Sequence, residues 1–233
     1  MFWIGTSGYN YLEWRGSFYP ANLPVAKMLP FYAARFSTVE INYSFYRMPT
    51  DAMLRGWAAS TPEQFKLTLK APRRITHDAK LQNCRPLLET FLATAATLHE
   101  KLGVLLFQLP PTFKLALPVL EEFLGWLPAN VRAAFEFRHA SWHVPEAFER
   151  LQRHNAALCI AESERVATPL VMTADFGYFR LRDEGYTADD LRQWAGRLRE
   201  QQARRRDIFV YFKHEEAGKG PEFAKQLMRL LDV

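Results

Sequence analysis

The sequence predicts an α/β protein: a compact TIM-type (β/α)₈ barrel formed by a single domain over residues 1–233. Two observations lead to this prediction. Eight short segments with strand-like patterning alternate with helical segments, which is typical of a parallel sheet with helical crossovers. Polar residues also recur on one face and at one end of six of these segments. That pattern indicates the open end of a closed barrel, because barrel strands covered by helices are otherwise apolar.

The predicted strands are short runs that are either apolar or alternate between apolar and polar residues. In chain order they are residues 2–6, 38–42, 65–70, 103–109, 133–138, 157–162, 177–182 and 207–213. The predicted helices lie near residues 25–36, 51–60, 84–101, 117–127, 145–154, 188–205 and 219–231. Only residues 163–176 connect the sixth strand to the seventh. That is short for a crossover helix, so either the sixth helix is degenerate or residues 170–174 form a small extra strand.

The alternation of side chains along a strand predicts which residues face the barrel interior. In FEFR (135–138), Phe135 and Phe137 share one face, while Glu136 and Arg138 share the other. We expect the phenylalanines to face the helices and the charged pair to face inward. The same alternation predicts further inward-facing polar residues: Glu40, Asn42, Lys66, Thr68, Lys70, Gln108, Arg180, Arg182, Tyr211 and Lys213.

Cations outnumber carboxylates at the predicted open end. The inward-facing charges are Lys70, Arg138, Arg180, Arg182 and Lys213 against Glu40 and Glu136. An excess of cations in a recessed site favours an anionic ligand such as a phosphate or a carboxylate. The alternative is a self-contained network in which each glutamate pairs with a Lys or Arg and fills the barrel, because buried ions usually pair.

Composition and charge exclude several classes of protein. Hydrophobic residues make up 48% of the chain, enough for a globular core, and no apolar run approaches the roughly 20 residues of a membrane helix. The first residues read as a strand rather than a basic leader, so we expect a cytoplasmic protein with no membrane partner. Cys84 and Cys159 are expected to be reduced thiols. The net charge of +5 permits an anionic small molecule or nucleic acid as partner without requiring one.

Five segments resemble a known family. They are WIGTSGYNYLEWRGSFYP (3–20), FSTVEINYSFYRMP (36–49), ITHDAKL (75–81), LLFQLPPTF (105–113) and FEFRHASW (135–142). Together they are similar to the YecE-like family, known as domain of unknown function 72. The resemblance extends over nearly the whole chain, and it implies a TIM-type barrel whose biochemical role is unassigned.

Two positions depart from the pattern of that family. Its seventh strand is expected to continue as Leu-His-Gly, but here Arg182 stands at the His position. Its eighth strand is expected to end in Tyr-Phe-Asn-Asn, but here Lys213 and His214 replace the two asparagines. If the family's His or Asn side chains contact a ligand, these replacements imply a different specificity or chemistry for this chain.

Aromatic and basic side chains are concentrated in the loops that follow the predicted strands. Flat ligands such as nucleobases or sugars stack on such rings, and Tyr and Trp can do so while their polar atoms stay in water. The predicted ligand contacts in these loops are Tyr11, Trp14, Tyr46, Arg47 and Trp142. Phe18 and Phe45 are instead expected to belong to the core.

Three histidines fall in the same loops. His77 is a candidate general acid–base or a donor to an anion. His139 and His143 are four residues apart, a spacing that suits a metal ion only on a helix, and the intervening Ala-Ser-Trp and a following proline favour a turn. We therefore predict no metal and no cofactor, and the two glycines of GTSG (5–8) are too few for a dinucleotide fingerprint.

Three hypotheses about function follow. In the first, the C-terminal mouth binds, and in an enzyme would hydrolyse, a phosphate-bearing ligand such as a nucleotide or nucleic acid. The residues assigned to this role are Asn42, Lys70, Gln108, Arg138, Arg180 and Lys213, with Glu40 or Glu136 as general base. In the second, Glu40 and Glu136 act across a sugar as in a glycosidase, which requires that they are not both held in ion pairs. In the third, the barrel binds nucleic acid without catalysis and has a basic surface that extends beyond the mouth.

Overall fold

The computed structural model describes residues 1–162, 168–183, 185–204, 207–213 and 218–233, and in them it shows a barrel of eight parallel strands. The strands are β1 Phe2–Thr6, β2 Thr38–Ile41, β3 Lys66–Lys70, β4 Leu102–Gln108, β5 Ala133–Glu136, β6 Ala157–Ala161, β7 Phe176–Leu181 and β8 Asp207–Phe212. They are hydrogen-bonded in the order β1-β8-β7-β6-β5-β4-β3-β2. This confirms the predicted TIM-type architecture.

The barrel closes where β1 meets β2, although the two strands form no continuous ladder. Ser7 and Glu40 form an isolated parallel bridge at the C-terminal end of this seam. Nearer the other end the seam is filled by the Tyr32 hydroxyl, which accepts a hydrogen bond from the Thr6 N–H at 2.7 Å and donates one to the Thr38 carbonyl at 3.1 Å. A side-chain hydroxyl thus connects backbone groups that would otherwise need a strand partner.

Helices surround the strands. Within the described ranges they are α1 Met28–Ala33, α2 Tyr43–Tyr46, α3 Asp51–Ala59, α4 Arg85–Ala95, α5 Leu117–Gly125, α6 Pro145–Arg153, α7 Ala188–Gln202 and α8 Lys219–Leu231. In α7 the buried residues are Leu191, Trp194, Ala195 and Leu198, the stripe expected of a helix that packs on a core. Thr187 caps the start of this helix together with Asp190.

The connection from β6 to β7 lacks the usual helix in the part that the structure describes. Residues 168–175 form neither a helix nor a strand. Instead the Thr173 hydroxyl accepts from the Leu158 N–H and donates to the Ala156 carbonyl, both at 2.7 Å. The degenerate helix is therefore the better of the two predicted alternatives, and the extra strand at 170–174 does not form. Residues 163–167 lie outside the described residues.

The core has two parts, one inside the barrel and one between the strands and the helices. Phe107, Phe135 and Phe137 lie in the outer part, as the alternation along β4 and β5 predicts. The inner part is apolar towards the N-terminal ends of the strands, where Trp3, Val104 and other side chains pack together. Towards the C-terminal ends it becomes polar, and the candidate site lies there.

The structure can be compared with two expectations drawn from the composition: that the cysteines are reduced, and that no segment spans a membrane. Cys84 and Cys159 are buried and free. No helix in the described ranges is long and apolar enough to cross a membrane.

Candidate functional site

A buried ion-pair network lies inside the C-terminal end of the barrel. Its central residue is Arg180 on β7, which donates from Nη1 to Glu136 Oε2 at 2.6 Å and from Nη2 to Glu40 Oε1 at 2.8 Å. All three side chains are at most 2% exposed. The guanidinium therefore bridges two carboxylates, one from β2 and one from β5.

Both carboxylate oxygens of Glu40 accept hydrogen bonds inside the protein. Besides Arg180, it accepts hydrogen bonds from the Ser7 hydroxyl and, at 2.5 Å, from the Tyr178 hydroxyl. Ser7 is held in turn by Asn42, whose side-chain amide donates to its hydroxyl at 3.0 Å. Burial alone would raise the pKa of Glu40, but Arg180 and these hydrogen bonds outweigh it and lower the pKa. The carboxylate is therefore ionised and held by Arg180, Ser7 and Tyr178.

Glu136 is held in a similar way. It accepts from the Gln108 amide at 2.9 Å and from Arg182 Nη2 at 3.0 Å, in addition to Arg180. Burial works against the charged form, yet the two guanidinium groups keep its pKa well below the usual range of a carboxyl group. Two arginines and two glutamates thus form an electrically neutral layer.

Lys70 lies above this neutral layer, half-buried at the end of β3. Its Nζ is 4.1 Å from the centroid of the Phe45 ring, and the His77 ring packs against the same phenylalanine at 5.0 Å between centroids. Within the described residues no hydrogen bond or ion pair joins the Lys70 ammonium to another group. Phe45 is therefore not the core residue that the sequence predicted, because it covers Lys70 at the mouth.

Burial and nearby charges together set the pKa of Lys70. The pKa of Lys70 is lowered to about 7, chiefly by burial and also by the charges of Arg180 and Lys213. Glu40 and Glu136 act in the opposite direction without restoring the ordinary value. Lys70 is therefore balanced between its charged and neutral forms near neutral pH.

His77 and Arg138 complete the upper layer. His77 lies in a π-helical turn over Arg74–Asp78, and its Nδ1 is hydrogen-bonded to the Thr76 hydroxyl at 2.9 Å. Burial lowers its pKa, as do the positive charges of Lys70, Arg73 and Arg138. Arg138 follows β5 and is exposed, and it forms no ion pair with any described residue. The positive charges at the mouth are therefore not paired with Glu40 or Glu136, because both carboxylates are bound to Arg180.

Several predicted contacts have a different role from the one that the sequence indicated. Trp14 and Trp142 are 0% exposed and belong to the core. Trp142 stacks on Phe137 with a centroid distance of 4.6 Å and donates from Nε1 to the Phe113 carbonyl at 2.7 Å. Its polar atom is satisfied inside the protein, so the prediction that these indoles contact a ligand was wrong. Phe18 is buried, as predicted.

The other loop residues remain near the surface. Tyr11 is half-buried and donates to the Ser7 carbonyl at 2.9 Å, whereas Tyr46 is 77% exposed beside Phe45. Arg47 is exposed, and Lys213 is half-buried directly after β8. His214, the other departure from the family pattern at this strand end, lies outside the described residues.

The ion pairs of Glu40 and Glu136 contradict one of the two catalytic roles predicted for them. A glycosidase needs one carboxyl group that can donate a proton, and a general base needs a free lone pair. Glu40 and Glu136 have lowered pKa values and are both bound to Arg180. The glycosidase-like alternative required that the two acids are not both held in ion pairs, so the structure contradicts it, whereas the general-base assignment stays a prediction.

The two histidines after β5 form a turn, as the sequence indicated. A 3₁₀ turn spans Ala140–Trp142, and His139 Nδ1 accepts from the Ser141 N–H at 3.1 Å. In the ranges that the structure describes, no group of three side chains is placed to hold a metal ion.

Two members of the network were absent from the predicted site. Ser7 and Tyr178 hold Glu40, and both lie on the inward face by the alternation of their strands. The signal was therefore present in the sequence. A buried carboxylate needs hydrogen-bond donors as well as a counter-charge, and hydroxyl groups supply them here. A search for charged residues alone does not find them.

The chain is similar over its length to a described family and to proteins from several bacteria. A family model described as "Protein of unknown function DUF72" matches residues 3–233. The UPF0759 protein YunF of Bacillus subtilis is 24% identical over 273 residues, which cover 100% of this chain and 95% of YunF. The UPF0759 protein YecE of Escherichia coli K12 is 35% identical over 109 residues, which cover 46% of this chain and 40% of YecE.

Two crystal structures share the fold. A DUF72 family protein of Thermotoga maritima superposes with a TM-score of 0.88 at 25% identity, with 100% of both chains covered. A DUF72 family protein of Enterococcus faecalis superposes with a TM-score of 0.85 at 19% identity, covering 100% of this chain and 96% of that one. The described barrel is therefore the fold of these relatives.

Proposed function

Because the chain belongs to the DUF72 family, a description that names no activity, its function has to be inferred from its own site, and we propose that the barrel mouth binds a small phosphate-bearing ligand. The observation that carries the proposal is the separation of charge into two layers. Glu40 and Glu136 form ion pairs with Arg180 and Arg182. Lys70 and Arg138 therefore have no carboxylate partner among the described residues.

A phosphate group supplies what these two side chains lack. Its oxygen atoms accept charge-assisted hydrogen bonds, and an arginine binds such a group through two parallel N–H donors. Arg138 is exposed and able to meet an incoming ligand, whereas Lys70 is half-buried and able to contact it at the bottom of the mouth. His77, which senses the charges of both residues, offers a third donor.

The aromatic residues of the same mouth favour a ligand with a flat part, as in a nucleotide. Phe45 and the exposed Tyr46 pack edge to face with a centroid distance of 5.1 Å, beside Lys70. A base or another ring that stacks on Tyr46 would bring its phosphate group towards the cations. We infer binding rather than hydrolysis, since both buried glutamates are already held in ion pairs with Arg180.

Calorimetric titration with adenosine monophosphate, ribose 5-phosphate and inorganic phosphate tests this proposal. We expect at least one of them to bind, with a Kd that rises as sodium chloride is added, because salt screens exposed charges. Replacement of Arg138 by alanine should weaken binding by about tenfold, since a charge-assisted hydrogen bond contributes roughly 1.5 kcal/mol or more.

Arg55→Ala is the matched control, because Arg55 is also exposed but lies on α3, in an i,i+4 ion pair with Asp51. This variant should bind as the parent does. The proposal fails if no phosphate compound binds, or if both substitutions weaken binding equally. Binding of single-stranded oligonucleotides far more tightly than of any nucleotide would instead favour the nucleic-acid-binding barrel.

A further inference from the structure

A second group of cations lies outside the barrel, between α8 and the loop that follows β1. Lys225 on α8 is half-buried, and its Nζ is 5.0 Å from the centroid of the Phe18 ring. Phe18 packs edge to face on Phe31 with a centroid distance of 5.6 Å, and the Cζ of Arg35 lies 3.4 Å from the centroid of the Phe31 ring. Two neighbouring rings thus each hold a cation, and their faces favour the charged forms of both.

A cavity of about 320 Å³ opens beside Lys225, and we call it the outer cavity. Its lining comes from the loop after β1 and from one face of α8, and it includes Ser17, Phe18, Glu222, Lys225, Gln226 and Arg229. The polar residues of α8 share that face because they are three or four positions apart. The volume is at the lower end of the range of small-molecule sites. The outer cavity is therefore large enough for a small ligand, and it is separate from the barrel mouth.

The charges at the outer cavity are not balanced by the protein. Lys225, Arg229 and Arg35 form no ion pair with a carboxylate among the described residues. Glu222 is the only carboxylate in the described lining, and it accepts a hydrogen bond from the Gln226 amide at 3.2 Å instead of pairing with a cation. Burial lowers the pKa of Lys225, and the charges of Arg35 and Arg229 lower it further. Three cations against one carboxylate leave a net charge of +2, which an anion would stabilise.

We propose that the outer cavity binds a phosphate-bearing anion with at least two negative charges, held by Lys225 and Arg229. Phosphate oxygens accept charge-assisted hydrogen bonds from both side chains, and the arginine can donate two in parallel. A diphosphate group places two or more negative charges in a small volume, whereas a carboxylate carries only one. This site goes beyond the function proposed for the mouth and does not depend on it.

Calorimetric titration with pyrophosphate at low salt tests this inference. Lys225→Gln should weaken the binding by at least about tenfold, because a charge-assisted hydrogen bond to the anion is lost. Lys219→Gln is the matched control, since Lys219 is exposed on the same helix but does not line the outer cavity, and it should bind as the parent does. Thermal unfolding of each variant shows whether it is folded. Equal weakening by the two substitutions would overturn the inference.

Chemical protection of the amine locates the anion in the parent protein without any substitution. The protein is acetylated briefly with an N-hydroxysuccinimide ester, with and without pyrophosphate, and the modified lysines are mapped by mass spectrometry. We expect pyrophosphate to slow the acetylation of Lys225 several-fold and to leave that of Lys219 unchanged. Protection of both lysines to the same extent, or of neither, would overturn the inference.

Arg138→Ala separates the outer cavity from the mouth, where pyrophosphate is also expected to bind. This variant should keep the binding event that Lys225→Gln weakens. If Arg138→Ala abolishes all binding of pyrophosphate and Lys225→Gln changes none, the outer site is overturned and the function proposed for the mouth stands. If only Lys225→Gln weakens binding, and no nucleotide binds at the mouth, the outer site is upheld and the proposed function fails.

A short oligothymidylate distinguishes the source of the phosphate groups. If it binds more tightly than pyrophosphate and with the same dependence on Lys225, the outer site is upheld and its phosphates belong to a nucleic-acid backbone. If pyrophosphate binds more tightly, the site is upheld for a small diphosphate compound. Binding of neither compound would overturn the inference.

Discussion

Arg180 forms ion pairs with two buried carboxylates at once, and the interior of the barrel depends on it for this reason. We predict that Arg180→Met destabilises the protein by about 3–5 kcal/mol, because it leaves Glu40 and Glu136 short of their common partner in a buried setting. Urea denaturation at pH 7 measures the difference. The loss should shrink as pH falls, since each glutamate can then be protonated and its uncompensated charge removed.

Arg182→Met is the matched comparison for that prediction. Arg182 is half-buried, and among the described residues its hydrogen bonds go to Glu136 alone, through Nη2 at 3.0 Å and 3.4 Å. Its removal leaves Arg180 in place, so we expect a loss of about 1–2 kcal/mol. If the two substitutions cost the same at every pH, the shared ion pair is not the source of the stability.

The sequence could predict which charged side chains face the barrel interior, but not which of them form ion pairs. Alternation along the strands correctly predicted that Glu40, Glu136 and Arg180 face inward. It could not predict that one arginine binds both acids, because these partners are 140 and 44 positions apart in the chain. Which inward-facing charges meet depends on their depth in the barrel and on their rotamers, and neither is encoded in the local pattern.

At the scale of elements, the seam between β1 and β2 is the weak point of the closed barrel. The two strands approach closely because Gly5 has no side chain: a Cβ atom there would lie 2.1 Å from the Thr38 carbonyl oxygen. Tyr32 comes from α1 and inserts its hydroxyl at the same level. One helix residue thus replaces part of a strand ladder.

We predict that Tyr32→Phe costs about 1–3 kcal/mol, because the Thr6 N–H and the Thr38 carbonyl then lose a buried partner. Tyr46→Phe removes a hydroxyl from a side chain that is 77% exposed, and it should change the free energy of unfolding very little. Hydrogen exchange of the Thr6 amide in the first variant should become faster. Unchanged stability and unchanged exchange would show that water satisfies these groups equally well.

The strands and helices were predicted closely, and the exceptions have physical causes. Strand β5 ends at Glu136 although the alternating pattern continues to Arg138. The predicted helix over residues 84–101 ends at Ala95 and continues as a 3₁₀ segment, where His99 adopts a φ of 47°. Periodicity reports which face is buried, but it does not report where a ladder loses its neighbour or where a turn tightens.

At the scale of the whole molecule, the fold separates charge by depth. The barrel interior is apolar at the bottom, neutral but ionic in the middle and cationic at the mouth. In the middle layer, Arg180 and Arg182 pair with both inward-facing carboxylates. No carboxylate of that layer is then left to pair with Lys70 or Arg138 at the mouth. The same arrangement that stabilises Arg180 therefore leaves Lys70 in an unfavourable environment when no anion is bound.

This arrangement predicts how stability depends on pH. The pKa of Lys70 is about 7 in the folded protein, below its ordinary value of 10.5. Between these two values the unfolded chain binds more protons at this residue than the folded one, so its contribution makes stability rise with pH from about 7 to 10.5. Below pH 7 the folded protein must hold an ammonium group among cations, and the full penalty applies.

Lys70→Met should therefore stabilise the protein, by about 1–2 kcal/mol at pH 6, with a gain that fades as pH approaches 10. Denaturant titrations over this pH range measure it, and Lys114→Met, at an exposed position, is the control that should show no such trend. Added phosphate should reduce the gain, because an anion at the mouth stabilises the Lys70 ammonium of the parent and not the methionine. Parallel pH profiles of parent and Lys70→Met would show that Lys70 is not under electrostatic strain. In that case the Lys70 ammonium group would not need an anion at the mouth to stabilise it.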